Sequence, residues 1–420
     1  MREFDVIVVG GGLTGTAAAI ASARQGMKTL LVEQSGFLAG AAGNCLVNPF
    51  MPYYTQMEIN GQNQRVDLSA GLFKEIADRL AEMGGREDNA FDEEYLKLLL
   101  DRMTQESAVH VLLHATLDGV GKKGETLTGV TVMTKSGRMT FHGKYFIDCT
   151  GDADHSVMAG CPTHLGRDSD HLCQPMTLCF RLANVDQEKF EASRAMINPL
   201  YQKLQAEGKI KNPRENVLVF FHPLKNMLHF NTTRVIRLNP VDPFDQTRAE
   251  MEAREQMFEL FNFLKTNIPG FENAAIAFSA PQIGVRESRM IDGDHLLTGE
   301  EIKACTLFDD AIAAGNYGID IHSPDGSGTF RYHFPEGEYY TIPYRSLIPK
   351  NAENLLVAGR CISSTHEAQA SCRIMPIVTT LGEAAGVAAA VACRHDVPVR
   401  KADIREIQQI LRDNGAFLGI

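Results

Sequence analysis

The sequence contains no CxxC pair, no block of basic residues, no internal repeat and no low-complexity tract. Each absence narrows what the chain can do. Nine cysteines are present but scattered, which argues against a thioredoxin-type dithiol, a zinc ribbon or a four-cysteine cluster run. An odd number of dispersed cysteines reads as reduced, mostly buried thiols, and no metal site is expected. A net charge of −11 without a Lys/Arg cluster argues against nucleic acid or an anionic membrane surface as partner. The longest apolar stretch, Ile374 to Cys393, is interrupted by Glu383 and several glycines, so it reads as a buried helix and no membrane span is expected. The apolar run near the start follows Asp5 and belongs to a strand. No signal peptide is therefore expected, and a soluble, cytoplasmic protein is the expectation.

What is present is a chain of 420 residues, 44% hydrophobic and 22% charged, long enough for two domains with sizeable cores. Its most informative stretch runs from Phe4 to Glu33. An apolar strand leads into Gly10-Gly11-Gly12-Leu13-Thr14-Gly15, an alanine-rich helix follows, and a second apolar strand ends on Glu33-Gln34. This is a βαβ unit with a dinucleotide fingerprint in its first turn. Gly10 permits the tight turn, Gly12 lets a pyrophosphate approach the backbone, and Gly15 lets helix and strand pack closely. The helix start offers unpaired N–H groups to the phosphates, and Glu33 sits where a carboxylate accepts hydrogen bonds from a ribose. Gly119-Val-Gly121-Lys-Lys-Gly124 matches the same pattern. Strand-like alternation follows it, so it reads as a hairpin.

Helices are expected over 69–82 and 92–106, a strand at 109–113, a meander over 116–142 and a strand over 145–149 ending on Thr150-Gly151-Asp152. Asp152 or Asp154 could cap a helix running through Val157. From about 160 the texture changes to a mixture of strands (177–182, 227–237) and an amphipathic helix over 245–265. Near Ser346 the first texture returns: Asn354-LLVAG-Arg360 is a strand ending on glycine, followed by a loop and a Gly/Ala-rich helix. The fold class is thus α/β. A discontinuous Rossmann-like nucleotide-binding domain comprises residues 1–158 and 346–420, with a mixed α/β substrate domain, 159–345, inserted between them. The late strand–loop–helix element favours a flavin over a nicotinamide cofactor.

The segments VIVVGGGLTGTAAAIASARQGMKTLLVE, FIDCTGDADHSVMAG, QPMTLCFRL, HFNTTRV, QIGVRESRMIDGDHLLT, DIHSPDG, IPYRSLIP and NLLVAGRCISSTHEAQASCRIMPIVTTLGEAAGVAAA together resemble the FAD-dependent oxidoreductases of the glutathione-reductase-like superfamily. The resemblance implies FAD held at its ADP half by Gly10 to Gly15 and Glu33-Gln34, with Leu117 near the adenine. Thr150, Gly151 and Asp154 would lie near the pyrophosphate. Gly40, Gly43 and Asn44, with Gly359, Arg360 and Met375, would surround the ribityl chain and isoalloxazine. Three departures matter. Cys45 has Phe50 where disulfide reductases place a second cysteine, and no second nucleotide fingerprint serves NADPH. Arg360 stands where many superfamily members carry a ribityl-binding Asp.

Candidates for proton transfer and anion binding are His366, Arg373, Arg286, Arg289 and His322, with Arg345 a further residue that could reach the cleft. Arg286 and Arg289 could equally be structural partners of Glu287 or nearby acids, and His366 could simply fix loop geometry. Cys361 reads as a buried thiol. The expected function is hydride transfer between flavin N5 and a small polar metabolite, a carboxylate or sugar-like compound, with an unspecified electron donor or acceptor. A NAD-dependent dehydrogenase and a flavin-bearing electron-transfer or interaction subunit are the alternatives. The oligomeric state is open, a homodimer included.

Overall fold

The computed structural model describes residues 3–420. Strand β1 (Glu3–Val9) leads into helix α1 (Leu13–Arg24), and β2 (Thr29–Val32) returns parallel to β1. Helices α2 (Leu72–Glu82) and α3 (Glu93–Glu106) follow, then β3 (His110–Leu112), the hairpin β4 (Thr116–Lys123) and β5 (Thr126–Thr134), and the long β6 (Gly137–Asp148). The main sheet is ordered β3-β2-β1-β6-β5-β4. It is parallel from β3 to β6 and antiparallel from β6 to β4. Val6, Ile7 and Val8 are fully buried, as a strand covered on both faces requires. The second glycine fingerprint falls in the β4–β5 hairpin, where Lys123 pairs with Thr126.

The inserted region forms its own antiparallel sheet. Its elements are β7 (Phe180–Ala183), α4 (Gln187–Ala206), β8 (Val219–Phe221), β9 (Leu228–Phe230), α5 (Pro243–Asn267) and β10 (Ala275–Ser279), with strand order β8-β9-β7-β10. Helix α5 starts as its sequence directs: Pro243 occupies the first turn, and Asp242 accepts the N–H groups of Phe244 and Asp245. The strand expected over 227–237 is laddered only at Leu228–Phe230. Beyond it, threonine hydroxyls replace the ladder: Leu218 N–H donates to Thr232 Oγ1 (2.9 Å) and Leu178 N–H to Thr233 Oγ1 (2.7 Å).

Two further antiparallel pairs follow, β11 (Ala311–Gly315) with β14 (Tyr340–Pro343), and the hairpin β12 (Ile319–His322) with β13 (Thr329–Tyr332). Ile312, Ile319, Ile342 and Tyr344 are buried in the same core as Leu13 and Ile20 of α1. The stretch 297–345, expected within the insertion, therefore packs on the nucleotide-binding side. The insertion's own core draws on residues between Met176 and Ile283, together with Leu46.

The chain then re-enters the main sheet. β15 (Leu355–Val357) pairs parallel with the end of β6, and helices α6 (His366–Cys372), α7 (Met375–His395) and α8 (Ile404–Asp413) complete the fold. Helix α7 lies against α1 backbone to backbone. A Cβ at Gly382 would sit 2.0 Å from the Thr14 carbonyl oxygen, and one at Gly386 would sit 2.2 Å from that of Ala18. By length and composition α7 is apolar enough to cross a membrane, but 94% of its apolar window is buried within the protein. It is the central core helix.

Candidate functional site

A cleft of about 520 Å³ opens beyond the carboxyl ends of β1, β2, β6 and β15 and is closed on its other side by the insertion. Parallel open sheets bind ligands at this edge. The three fingerprint glycines have separable roles there. Gly10 has φ +100°, and a Cβ on it would lie 2.3 Å from the Cys149 carbonyl oxygen. A Cβ on Gly15 would lie 1.8 Å from the Gly10 carbonyl oxygen. Gly12 differs: its φ is an ordinary −64°, and the nearest atom to its Cβ position is the Gly40 Cα at 3.6 Å. The protein itself would accept a side chain at Gly12, so the open space there serves a ligand. Helix α1 starts with no side-chain cap and no acidic residue in its first turn, leaving its leading N–H groups for an anion.

Glu33 is buried at the end of β2 and lines the cleft. Its carboxylate accepts the Gly11 N–H (2.5 Å) and the Ser35 N–H (2.7 Å), which fixes it in place while two of its four lone-pair sites stay free. Gln34, Gly40, Asn44 and Leu117 line the same cleft with Leu13 and Thr14. Gly11, Gly15 and Gly43 do not. Gly11 serves through its N–H to Glu33, Gly15 through packing, and Gly43 because a Cβ there would meet the Phe37 ring at 2.7 Å.

Thr150, Gly151 and Asp154 line the cleft opposite α1. The capping role expected of Asp152 or Asp154 belongs instead to Asp148. Fully buried, it accepts Thr150 N–H (3.0 Å) and Oγ1–H (2.7 Å) on one oxygen and Ser156 N–H (2.8 Å) and Oγ–H (2.7 Å) on the other. Asp152 instead pairs with Arg360 (2.6 Å) at the cleft wall. Burial pulls the Arg360 guanidinium down, but Asp152 outweighs it and holds the group above its ordinary value. A carboxylate thus returns, from β6's end, to the neighbourhood where Arg360 had displaced one. Gly359 and Met375 also line the cleft, and α7 opens with Pro376 in its first turn and no acidic residue there. Cys45 lies in the wall, where burial pushes its thiol up to about 12, and all nine cysteines are unpaired.

These features fit FAD. The space at Gly12 and the uncommitted α1 N–H groups suit a pyrophosphate. Glu33 suits the adenosine ribose, and the polarity of the α7 N-terminus suits the electron-rich edge of a flavin.

The catalytic candidates divide. Arg286, Arg373 and His322 line the cleft; Arg289, His366 and Arg345 do not. Arg286 lies at a bend and Arg289 opens a short strand, Arg289–Ile291, and the two side chains go to different partners. Arg289 turns back onto Asp154 and the Asp152 carbonyl. His366 points away from the cleft, its Nδ1 2.7 Å from Glu287 Oε1, and lines a separate small cavity with His164 and Lys350. Arg345 is held by Asp310 through two contacts of 2.9 and 3.1 Å.

Arg286 donates to the Pro175 carbonyl (2.7 Å), the Thr177 hydroxyl and the Asn231 side-chain oxygen (3.1 Å); none of these is a carboxylate. Desolvation, and next Arg373, depress its pKa to about 9. His322 is neutral: burial, then the Arg286 charge, push its pKa down to about 3. Its Nδ1 can only accept from Arg234 Nη2 (3.2 Å), so its proton sits on Nε2, 3.3 Å from Asp320 Oδ2. Asp320 also receives the Tyr317 hydroxyl at 3.3 Å. Burial, with Asp320 adding to it, pushes the Tyr317 phenol up to about 12. The site residues that sequence reasoning missed are Thr177, Asn231, Tyr317, Asp320 and Asp152. Asn231 and Asp320 fall in HFNTTRV and DIHSPDG, where residue type was the only signal.

Fold and cleft define a flavin-binding protein with a Rossmann-like nucleotide-binding domain. Residues 5–411 match the family described as FAD dependent oxidoreductase, and the chain belongs to that family; it is an enzyme, and FAD is its cofactor. Among curated proteins, 60 residues are 37% identical to aerobic glycerol-3-phosphate dehydrogenase of Staphylococcus saprophyticus, covering 14% of this chain and 11% of that protein. Over 40 residues the chain is 68% identical to the tRNA uridine 5-carboxymethylaminomethyl modification enzyme MnmG of Wolinella succinogenes, covering 9% of this chain and 6% of that protein. The matched stretches thus span about a tenth or less of those relatives. A geranylgeranyl bacteriochlorophyll reductase-like structure from Thermoplasma acidophilum aligns with TM-score 0.49 at 12% identity, over 98% of this chain and 84% of that one.

Proposed function

We propose that this FAD-dependent oxidoreductase transfers a hydride between flavin N5 and a small organic acid, which docks on Arg286. Bound FAD supplies the two-electron chemistry; the residues of the chain supply binding, orientation and exclusion of water. The carrying observation is Arg286: a guanidinium facing the cleft whose partners are a carbonyl, a hydroxyl and an amide oxygen, none of them charged. A desolvated cation without a counter-ion is costly, and an arginine fork is shaped for a carboxylate. Thr177 and Asn231 fix the fork, so the carboxylate is oriented as well as bound.

Leu218, Phe220 and Ile283 bring apolar surface from the insertion to the cleft, which keeps water from the substrate carbon. Both nitrogens of His322 are committed, to Arg234 and to Asp320, so it orders the wall and takes no proton from the substrate. Tyr317 holds a proton at its hydroxyl oxygen within the cleft and shares it with Asp320.

The test is an anaerobic screen of small hydroxy, amino and saturated acids against the yellow holoenzyme. Bleaching of the flavin band by an acid, and not by its methyl ester, is expected. Equal bleaching by acid and ester would overturn the role given to Arg286.

A further inference from the structure

Five arginines gather where the insertion meets the nucleotide-binding side: Arg214, Arg234, Arg286, Arg331 and Arg373. Their charges are not treated alike. Arg234 is paired with Glu215 at 3.2 Å and Arg331 with Asp320 at 3.2 Å. Arg214 lies off the cleft and turns toward His322, with Nη1 3.5 Å from its Nδ1. That leaves, among the described residues, two guanidiniums lining the cleft with no carboxylate in ion-pair contact, Arg286 and Arg373, the latter acting on Asp320 only at longer range. Arg373 is the less satisfied of the two. One Nη2 contact reaches the Gln174 side-chain oxygen at 3.4 Å, and its buried Nε has no partner among the described residues.

The two side chains are anchored on adjacent residues. Arg286 donates to the carbonyl of Pro175, and Arg373 donates to the side chain of Gln174. Gln369 ties the same corner together, contacting Gln174 through its oxygen (3.2 Å) and donating to the Arg286 carbonyl (2.8 Å). Two like charges are thus held side by side against one space. Arg373 is the largest charge acting on Arg286, and it acts to drive off the proton of Arg286. A monoanion relieves one of them. A ligand with two acidic groups on a short carbon chain relieves both, at a separation set by the Gln174–Pro175 corner.

We propose that the substrate is a short-chain dicarboxylate, one carboxylate on Arg286 and the other on Arg373. This rests on the organic-acid reading above and narrows it. Arg373 is then a specificity determinant, and the cleft discriminates against monocarboxylates by leaving the Arg373 guanidinium without an acidic partner when they bind.

The experiment is calorimetric titration of the FAD-loaded protein with three length-matched pairs: propionate and malonate, butyrate and succinate, valerate and glutarate. At least one dicarboxylate is expected to bind about tenfold or more tighter than its monocarboxylate partner. Arg373→Gln is expected to bring the affinity ratio within that pair down to about one, with Arg373→Lys in between. Arg286→Gln is expected to weaken both. Equal binding within every pair overturns the two-point site and leaves the organic-acid reading standing. Absence of binding by all six compounds overturns the organic-acid reading itself. If Arg373→Gln shifts FAD affinity or flavin potential while the ratio within each pair persists, Arg373 belongs to the cofactor and the proposal fails. Circular dichroism identifies a variant that does not fold, in which case the wild-type ratios decide.

Discussion

Gly12 is the residue whose environment speaks most plainly for a bound nucleotide. Gly10 and Gly15 would be glycine in any ligand-free protein of this shape, because backbone atoms lie 2.3 and 1.8 Å from their Cβ positions. Gly12 meets nothing closer than 3.6 Å. Gly12→Ala is therefore expected to fold with a melting temperature within a few degrees of wild type, yet bind FAD at least about tenfold more weakly. Parallel thermal melts of apoprotein and fluorescence titrations with FAD check this; unchanged FAD affinity would remove the close approach of the pyrophosphate. At this scale the sequence was readable wherever a residue's job is local. Glycine spacing and a terminal acid are local. The choice between Arg286 and Arg289 was not readable, because Arg289 is turned from the cleft by Asp154, 135 residues away in sequence. A loop-fixing role for His366 was one reading of the sequence, but its partner was not readable, because the Glu287 that turns it away from the cleft is 79 residues distant.

At the scale of elements, α7 carries the molecule. Its glycines let it touch α1, and its first turn faces the cleft. Its Glu383 is buried to 1% exposure, where it accepts the Leu72 N–H at 2.8 Å at the start of α2 and lies 3.4 Å from Asn414 Nδ2, just beyond α8. Burial pushes that carboxyl up to about 7 from 4.5. Between these two values the folded protein keeps a proton that the unfolded chain has lost, so stability falls as pH rises through this window. The loss is complete above it, at up to about 3 kcal/mol. Glu383→Gln is expected to flatten the decline in unfolding free energy from pH 5 to pH 8. At pH 8 it should gain roughly 1 to 3 kcal/mol over wild type, with little change at pH 5. Denaturant melts at the two pH values measure this, and an unchanged slope would contradict it. The helix start at Asp92 was legible because the cap and its target are neighbours in sequence, whereas α5 begins at Pro243, two residues before the Asp245 at which the amphipathic pattern starts. The early end of β9 was not, since Thr232 and Thr233 satisfy backbone groups of Leu218 and Leu178 that only tertiary folding brings near.

At the scale of the whole molecule, one sheet is started by β1 and finished by β15 some 350 residues later, and the insertion closes the cleft so formed. The return of apolar strand and Gly/Ala-rich helix near the C-terminus made that closure visible in the sequence. The apparent extent of the insertion misled, because the pairs β11–β14 and β12–β13 have the turn-rich texture of the insertion while their apolar faces belong to the first core. The substrate wall was the least legible part: Thr177, Asn231 and Arg286 meet in space from three separate segments, and no local pattern marks such a meeting. The most direct test of the account is anaerobic reduction of the bound flavin by organic acids in wild type and in Arg286→Gln at matched FAD content. The account predicts that an acid which bleaches the wild-type flavin does so at least about a hundredfold more slowly, per unit concentration, in the variant. Equal bleaching rates in the two proteins, or bleaching by NADH but by no organic acid, would contradict it.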